Sequence, residues 1–152
     1  MGNKIDFLQI AGILSFLTAT LHIVIIFGGA DWYRFFGAGE ATAVLVEQGS
    51  IQPTISAIIL ALIFTCWGLY AWSGSGYLPR FPFVRTCLVL ITFVYLARGA
   101  VGLVIPFLST HPRVTELSLS FWVWSSLICL CFGLVHLKGI MDKWQSLSKL
   151  ET

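Results

Sequence analysis

Apolar residues fall into four long runs along the chain, Phe7–Gly28, Ile55–Ser73, Cys87–Phe107 and Leu117–Leu137, separated by short polar stretches. Crossing a hydrocarbon core of ~30 Å takes about 20 helical residues, and each run is about that long. The pattern predicts an all-α protein, a four-transmembrane-helix bundle. Within two runs the small and polar residues keep helical spacing. Ala11, Ser15, Thr18 and His22 share a face of the first; Ser118, Trp122, Ser125, Cys129, Phe132 and His136 share a face of the fourth. Residues of this kind let membrane helices approach closely and hydrogen-bond, so both stripes should face the bundle interior.

The longest polar stretch joins the first two runs. It opens Gly28-Gly29-Ala30-Asp31-Trp32-Tyr33-Arg34 and packs three charged residues, Asp31, Arg34 and Glu40, among four aromatic rings. Over Glu40–Gln48, the positions of Ala41, Val44 and Leu45 predict a short amphipathic helix in the first extracytoplasmic loop; an irregular loop is the alternative. Between the second and third runs, Ser73-Gly74-Ser75-Gly76 breaks the helix, and Pro79 and Pro82 stiffen the turn. Cys66-Trp67-Gly68-Leu69 with Gly74 resembles Cys131-Phe132-Gly133-Leu134 with Gly139, a weak sign that the two halves repeat about an axis along the membrane normal.

Composition supports the membrane reading. Of 152 residues, 57% are hydrophobic and 11% charged, against roughly a quarter charged in soluble domains. The runs take up more than half the chain, so residues 1–152 read as a single integral membrane domain. Lys4, Arg80, Arg85, Lys138, Lys143 and Lys149 fall on the side of the termini, Arg34 and Arg113 on the other. This bias places both termini in the cytoplasm. The first run is too long for a signal-peptide core of 7–15 residues and reads as a permanent span. A net charge of +2 without a basic stripe argues against nucleic acid as a partner.

Motifs for cofactors and metals are thin. The four cysteines lie inside apolar runs with no C-x-x-C and read as small buried hydrophobes. His22, His111 and His136 form no H-x-x-H, and Gly37-Ala38-Gly39 lacks the strand and lysine of a phosphate loop. Neither metal nor cofactor is expected.

Arg98 is the strongest chemical signal. Placing arginine deep in a bilayer costs about 2.5–3.5 kcal/mol on insertion scales. It lies about nine residues, or ~13 Å, from the Phe107 end of its run, and its stem can snorkel outward. A carboxylate would satisfy it better than water. Glu40 is the preferred partner, because Gly37 and Gly39 let the chain fold back before it; Asp31 and Glu116 are the others in reach. His22 should lie at similar depth. The candidate ligand-binding site is therefore an outward-facing polar pocket of His22, Glu40 and Arg98, with Asp31, Arg34 and Tyr33 at its mouth. The competing reading makes Arg98–Glu40 a structural ion pair pinning the loop to the bundle.

The run Asp-Trp-Tyr-Arg-Phe-Phe-Gly-Ala-Gly-Glu at 31–40, with Ala97-Arg98-Gly99, resembles a group of uncharacterised bacterial four-span inner-membrane proteins. The DoxX-like proteins are similar in size and span count alone. The resemblance implies a multi-pass protein of the bacterial inner membrane and brings no assigned activity or catalytic residue. Three functions follow as expectations. The first is binding or moving a small anionic or lipid-like molecule in the pocket. The second is an accessory role, packed against a second copy or a larger membrane complex. The third is an enzyme on a lipophilic substrate, with Glu40 and His22 as acid and base.

Overall fold

The computed structural model describes residues 6–148, and every regular element in that range is helical. The order is α1 (Phe7–Phe35), α2 (Glu40–Glu47), α3 (Gln52–Ser75), α4 (Val84–Leu108), α5 (Pro112–Thr115, a single turn) and α6 (Leu119–Ser148). Helices α1, α3, α4 and α6 are each long and apolar enough to cross a membrane. Much of their apolar surface faces outward: Phe27 is 86% exposed and Leu108 79%. Four helices of this length and hydropathy, apolar on their outer surface, fit a hydrocarbon surround. The chain is a multi-pass membrane protein.

Local chemistry sets the helix ends. Asp6 caps α1 by accepting from the N–H groups of Leu8 (3.0 Å) and Gln9 (3.4 Å). The apolar part of α1 stops where the sequence says it should. Gly29 has φ 68°, outside the helical region, and the remaining turn to Phe35 continues beyond this kink. Pro53 occupies the first turn of α3, where its missing N–H has no helical partner to lose. Gly76 ends α3 in the left-handed conformation, with its N–H donating to the carbonyls of Ser73 and Trp72.

Helix α6 runs well past Leu137, the end of its apolar run, because its last turns remain amphipathic. Lys138 pairs with Asp142 one turn on. Lys143 donates to Asp6 (2.6 Å) and to the carbonyl of Ser75, and Arg85 stacks over the Trp144 ring at 3.9 Å. Hydropathy alone ends this helix too early.

The four long helices pack as two tight pairs, α1 with α3 and α4 with α6, joined through α1–α6 and α3–α4 contacts. Small residues make the pairs close. Gly68 of α3 lies against the Phe16 ring of α1, and Gly133 of α6 against Leu96 of α4; these are the two glycines of the sequence repeat, each used within its own pair. Both polar stripes partly face inward: Ala11, Ser15 and His136 are buried, whereas Ser118 is exposed. The main core is Leu8, Ala11, Ala71, Val84, Leu88, Ile91, Tyr95, Ile140 and Leu147. It reaches from the end of the bundle that holds Asp6 and α6's last turns to the middle. The opposite end has only a small cluster, Ile25, Tyr33 and Ala57, with Leu21, Ile26 and Val46 against it. That end carries α2.

Candidate functional site

The sparse packing at the α2 end leaves a cavity of about 330 Å³ between α1, α2 and the start of α3. Its walls are mostly apolar, from Ile25, Phe36, Leu45, Pro53, Ala57 and Leu60. Polar groups from all three helices enter it: His22 and Tyr33 from α1, Thr42 from α2, Gln52 and Ser56 from α3. A neighbouring cavity of about 390 Å³ shares Gly37, Ala38, Thr42, Leu45 and Gln52 with the first and adds Glu116 and Leu117. Helix α2 and the turn before it stand between the two spaces.

The polar groups are only partly committed. His22 Nδ1 lies 2.8 Å from the carbonyl of Thr18. A carbonyl can only accept, so Nδ1 carries the proton that bridges the two. Its ring packs at 5.2 Å from Phe64. The Tyr33 hydroxyl is buried with no hydrogen bond of good geometry among the described residues, although Thr54 is its polar neighbour. A buried hydroxyl without a full bond is costly and is ready to meet an entering polar atom.

Helix α2 is held over the cavity by ionic contacts at both of its ends. Arg34 grips Glu40 side-on, Nε to Oε2 and Nη2 to Oε1, both at 2.7 Å. The same guanidinium meets Glu47 at 2.8 Å and Asp31 at 3.2 Å. Glu40 and Glu47 are seven residues apart on α2, so one face presents both to Arg34. Arg34 holds the Glu40 carboxyl below its ordinary range. Three carboxylates on one cation leave the cluster net negative. Gly39 offers no side chain to cap α2, and Glu116 does so instead, accepting from the Glu40 N–H at 3.1 Å. The turn between α1 and α2 depends on Gly37 and Gly39, both at positive φ.

These contacts correct the expected pairing. Glu40 faces Arg34, six residues away, and not Arg98. The reason is proximity: α2 packs on α1 and α3 and makes no close approach to α4. Closing a short loop onto Arg34 orders less chain than reaching across the bundle. Arg98 lies instead on the α4–α6 face, with its guanidinium 5.2 Å from the Trp122 ring and 3.5 Å from the Ser125 hydroxyl. The six proposed ligand-binding residues therefore separate into three places. His22 and Tyr33 line the cavity; Asp31, Arg34 and Glu40 form the cluster beside it; Arg98 stands apart. The expected polar pocket does not contain all of them.

The sequence reading missed Thr42, Gln52 and Ser56 in the cavity wall and Glu47 in the cluster. Spacing could have found Glu47, seven residues from Glu40. The other three are ordinary polar residues at helix ends, with no pattern to set them apart. Among the described residues, no three His, Cys, Asp or Glu side chains are placed to share a metal ion. No protein-family model, curated protein or solved structure matches the chain.

Proposed function

We propose that this protein binds a small, uncharged, lipid-like molecule in the cavity beneath α2, with α2 as the cover. The observation that carries the reading is the composition of the cavity wall: apolar side chains, with His22, Tyr33, Gln52 and Ser56 converging among them. Ligand sites have this makeup, and about 330 Å³ is at the small end of their range. An apolar tail suits the walls, and a hydroxyl, ester or amide suits the unfilled hydrogen-bonding groups. An anion suits the cavity poorly. Neither lysine nor arginine lines it, and the neighbouring cluster carries excess negative charge. The acid–base reading loses support as well, since Glu40 is spent on Arg34.

The setting we propose is a bacterial inner membrane, with α2 on the outer side and the chain ends in the cytoplasm. Arg80, Arg85, Lys138 and Lys143 at the end opposite α2 support this orientation. A photoactivatable monoacylglycerol bearing a diazirine tests the function on purified protein. Crosslinks should map to α1, α2 and α3 residues around the cavity, and Ala57→Phe, which fills it, should remove them while helicity is kept. Labelling spread evenly over lipid-facing surfaces and indifferent to Ala57→Phe would overturn the reading.

A further inference from the structure

Arg98 presents a charge that the described residues do not neutralise. Among the described residues it forms no ion pair, and it is exposed on α4, a helix long and apolar enough to cross a membrane. The described carboxylates are committed elsewhere. Asp31, Glu40 and Glu47 are on Arg34, and Glu116 caps α2. Asp6 and Asp142 pair with lysines at the opposite end of the bundle. Counter-charge for Arg98 has to come from outside these residues.

The surroundings of Arg98 form a built site. Helical side chains normally lean toward the N-terminus of their helix, but Arg98 reaches the other way, toward the α2 end. Its Nη1 lies over Gly102, one turn further along, and a Cβ on Gly102 would come 2.2 Å from it. The absence of that Cβ is what admits the guanidinium. The Trp122 ring is held in turn by its Nε1–H, which donates to the carbonyl of Val114 at 3.1 Å. Over the same glycine, also 2.2 Å from that Cβ position, lies the Ser126 hydroxyl. It is fully buried and has no hydrogen-bond partner. A planar cation, an aromatic platform and an unspent hydroxyl thus converge at one place. Below them on α4, Leu90 and Val94 continue the same face as exposed apolar residues.

We infer that the α4–α6 face binds a phosphate-type oxyanion at Arg98, distinct from the cavity under α2. Guanidinium matches phosphate oxygens in a two-point geometry, and the Ser126 hydroxyl adds a donor. Two sources share this chemistry: the headgroup of an anionic phospholipid and a soluble phosphate. Leu90 and Val94 would carry an acyl chain toward the membrane centre in the first case.

Native mass spectrometry of the whole protein in neutral detergent tests the site, with phosphatidylglycerol, phosphatidylcholine and glycerol phosphate as probes. Wild-type protein should retain phosphatidylglycerol at least about tenfold better than phosphatidylcholine, as expected for a charged hydrogen bond out of water. Arg98→Gln should remove the preference. Arg98→Lys, a point charge, should keep only part of it, and Gly102→Ala, which displaces the guanidinium, should weaken it with Arg98 still present. Competition by glycerol phosphate would support the site and identify a soluble anion as its occupant; lack of competition with the preference intact would support it and identify the lipid. Equal retention of both lipids by wild type together with no retention of glycerol phosphate, or an unchanged preference in a helical, monodisperse Arg98→Gln or Gly102→Ala protein, would overturn the proposal. Ala57→Phe should leave this preference unchanged, so the two sites can fail separately.

Discussion

Glu116 accepts a hydrogen bond from the backbone N–H of Glu40 at 3.1 Å, across 76 residues of sequence. The carboxylate sits where the positive end of the α2 dipole and an unpaired amide coincide. Because Glu116 precedes α6, this one bond ties the cover of the cavity to the second helix pair. Glu116→Ala should loosen α2 by about 1 kcal/mol or less. Hydrogen exchange should read this as up to about fivefold faster exchange confined to α2; faster exchange throughout the bundle would contradict it.

Arg34→Ala should have a larger effect than loss of Glu116, because it leaves Asp31, Glu40 and Glu47 to repel one another. Exchange in α2 should rise further, and added salt, which screens exposed like charges, should partly restore protection. An α2 equally protected in wild type and variant would show that apolar packing alone holds it.

Acid should break the same ion pairs from the carboxylate side. The Glu40 carboxyl is held below its ordinary value of 4.5 by Arg34. A depressed carboxylate contributes fully above the ordinary value and loses its contribution as pH falls through the depressed one. Protection of α2 should therefore be flat near neutrality and decline below about pH 4, whereas in Arg34→Ala acid should raise protection, because protonation there relieves the repulsion among Asp31, Glu40 and Glu47. A decline centred near pH 6 would implicate a histidine instead.

Two glycines separate backbone strain from collision. Gly37 and Gly49 both have positive φ, but a Cβ at Gly37 would sit 1.9 Å from the Phe121 ring, while at Gly49 it would meet nothing. Gly49→Ala should cost about 1 kcal/mol from conformation alone. Gly37→Ala should cost about 1–3 kcal/mol more, since Phe121 must move. Thermal melts in detergent give the comparison.

At the other end, Lys143→Ala removes the donor shared by Asp6 and the Ser75 carbonyl, both partly shielded from solvent. A loss of about 1–3 kcal/mol is expected, with little sensitivity to salt. A strongly salt-dependent loss would place the pair in open water.

The elements most legible in the sequence were those with a strong period or a hard breaker. Four apolar runs gave four helices, Gly28-Gly29 marked the end of the apolar part of α1 although the helix resumes to Phe35, and Ala41, Val44 and Leu45 gave α2. Legibility failed where a helix stayed amphipathic past its apolar run, as at Lys138–Ser148 in α6. It failed again for Glu40. The sequence identifies Arg98 as costly but holds no information on which carboxylate is nearest, and the α1–α2 turn hands Glu40 to Arg34 first. The cavity wall was half legible: His22 and Tyr33 stood out as polar groups at the end of an apolar run, while Thr42, Gln52 and Ser56 became neighbours only through folding.

The uneven packing of the bundle has a mechanical consequence. Space left empty at the α2 end is volume that opening can recover, whereas the tightly filled end around Leu8, Leu88 and Leu147 offers little. Hydrostatic pressure favours the state of smaller volume, so compression should populate an opened α2 end well before it melts the rest. A molecule seated in the cavity would remove that compliance, and pressure could thus report occupancy without a label on either partner.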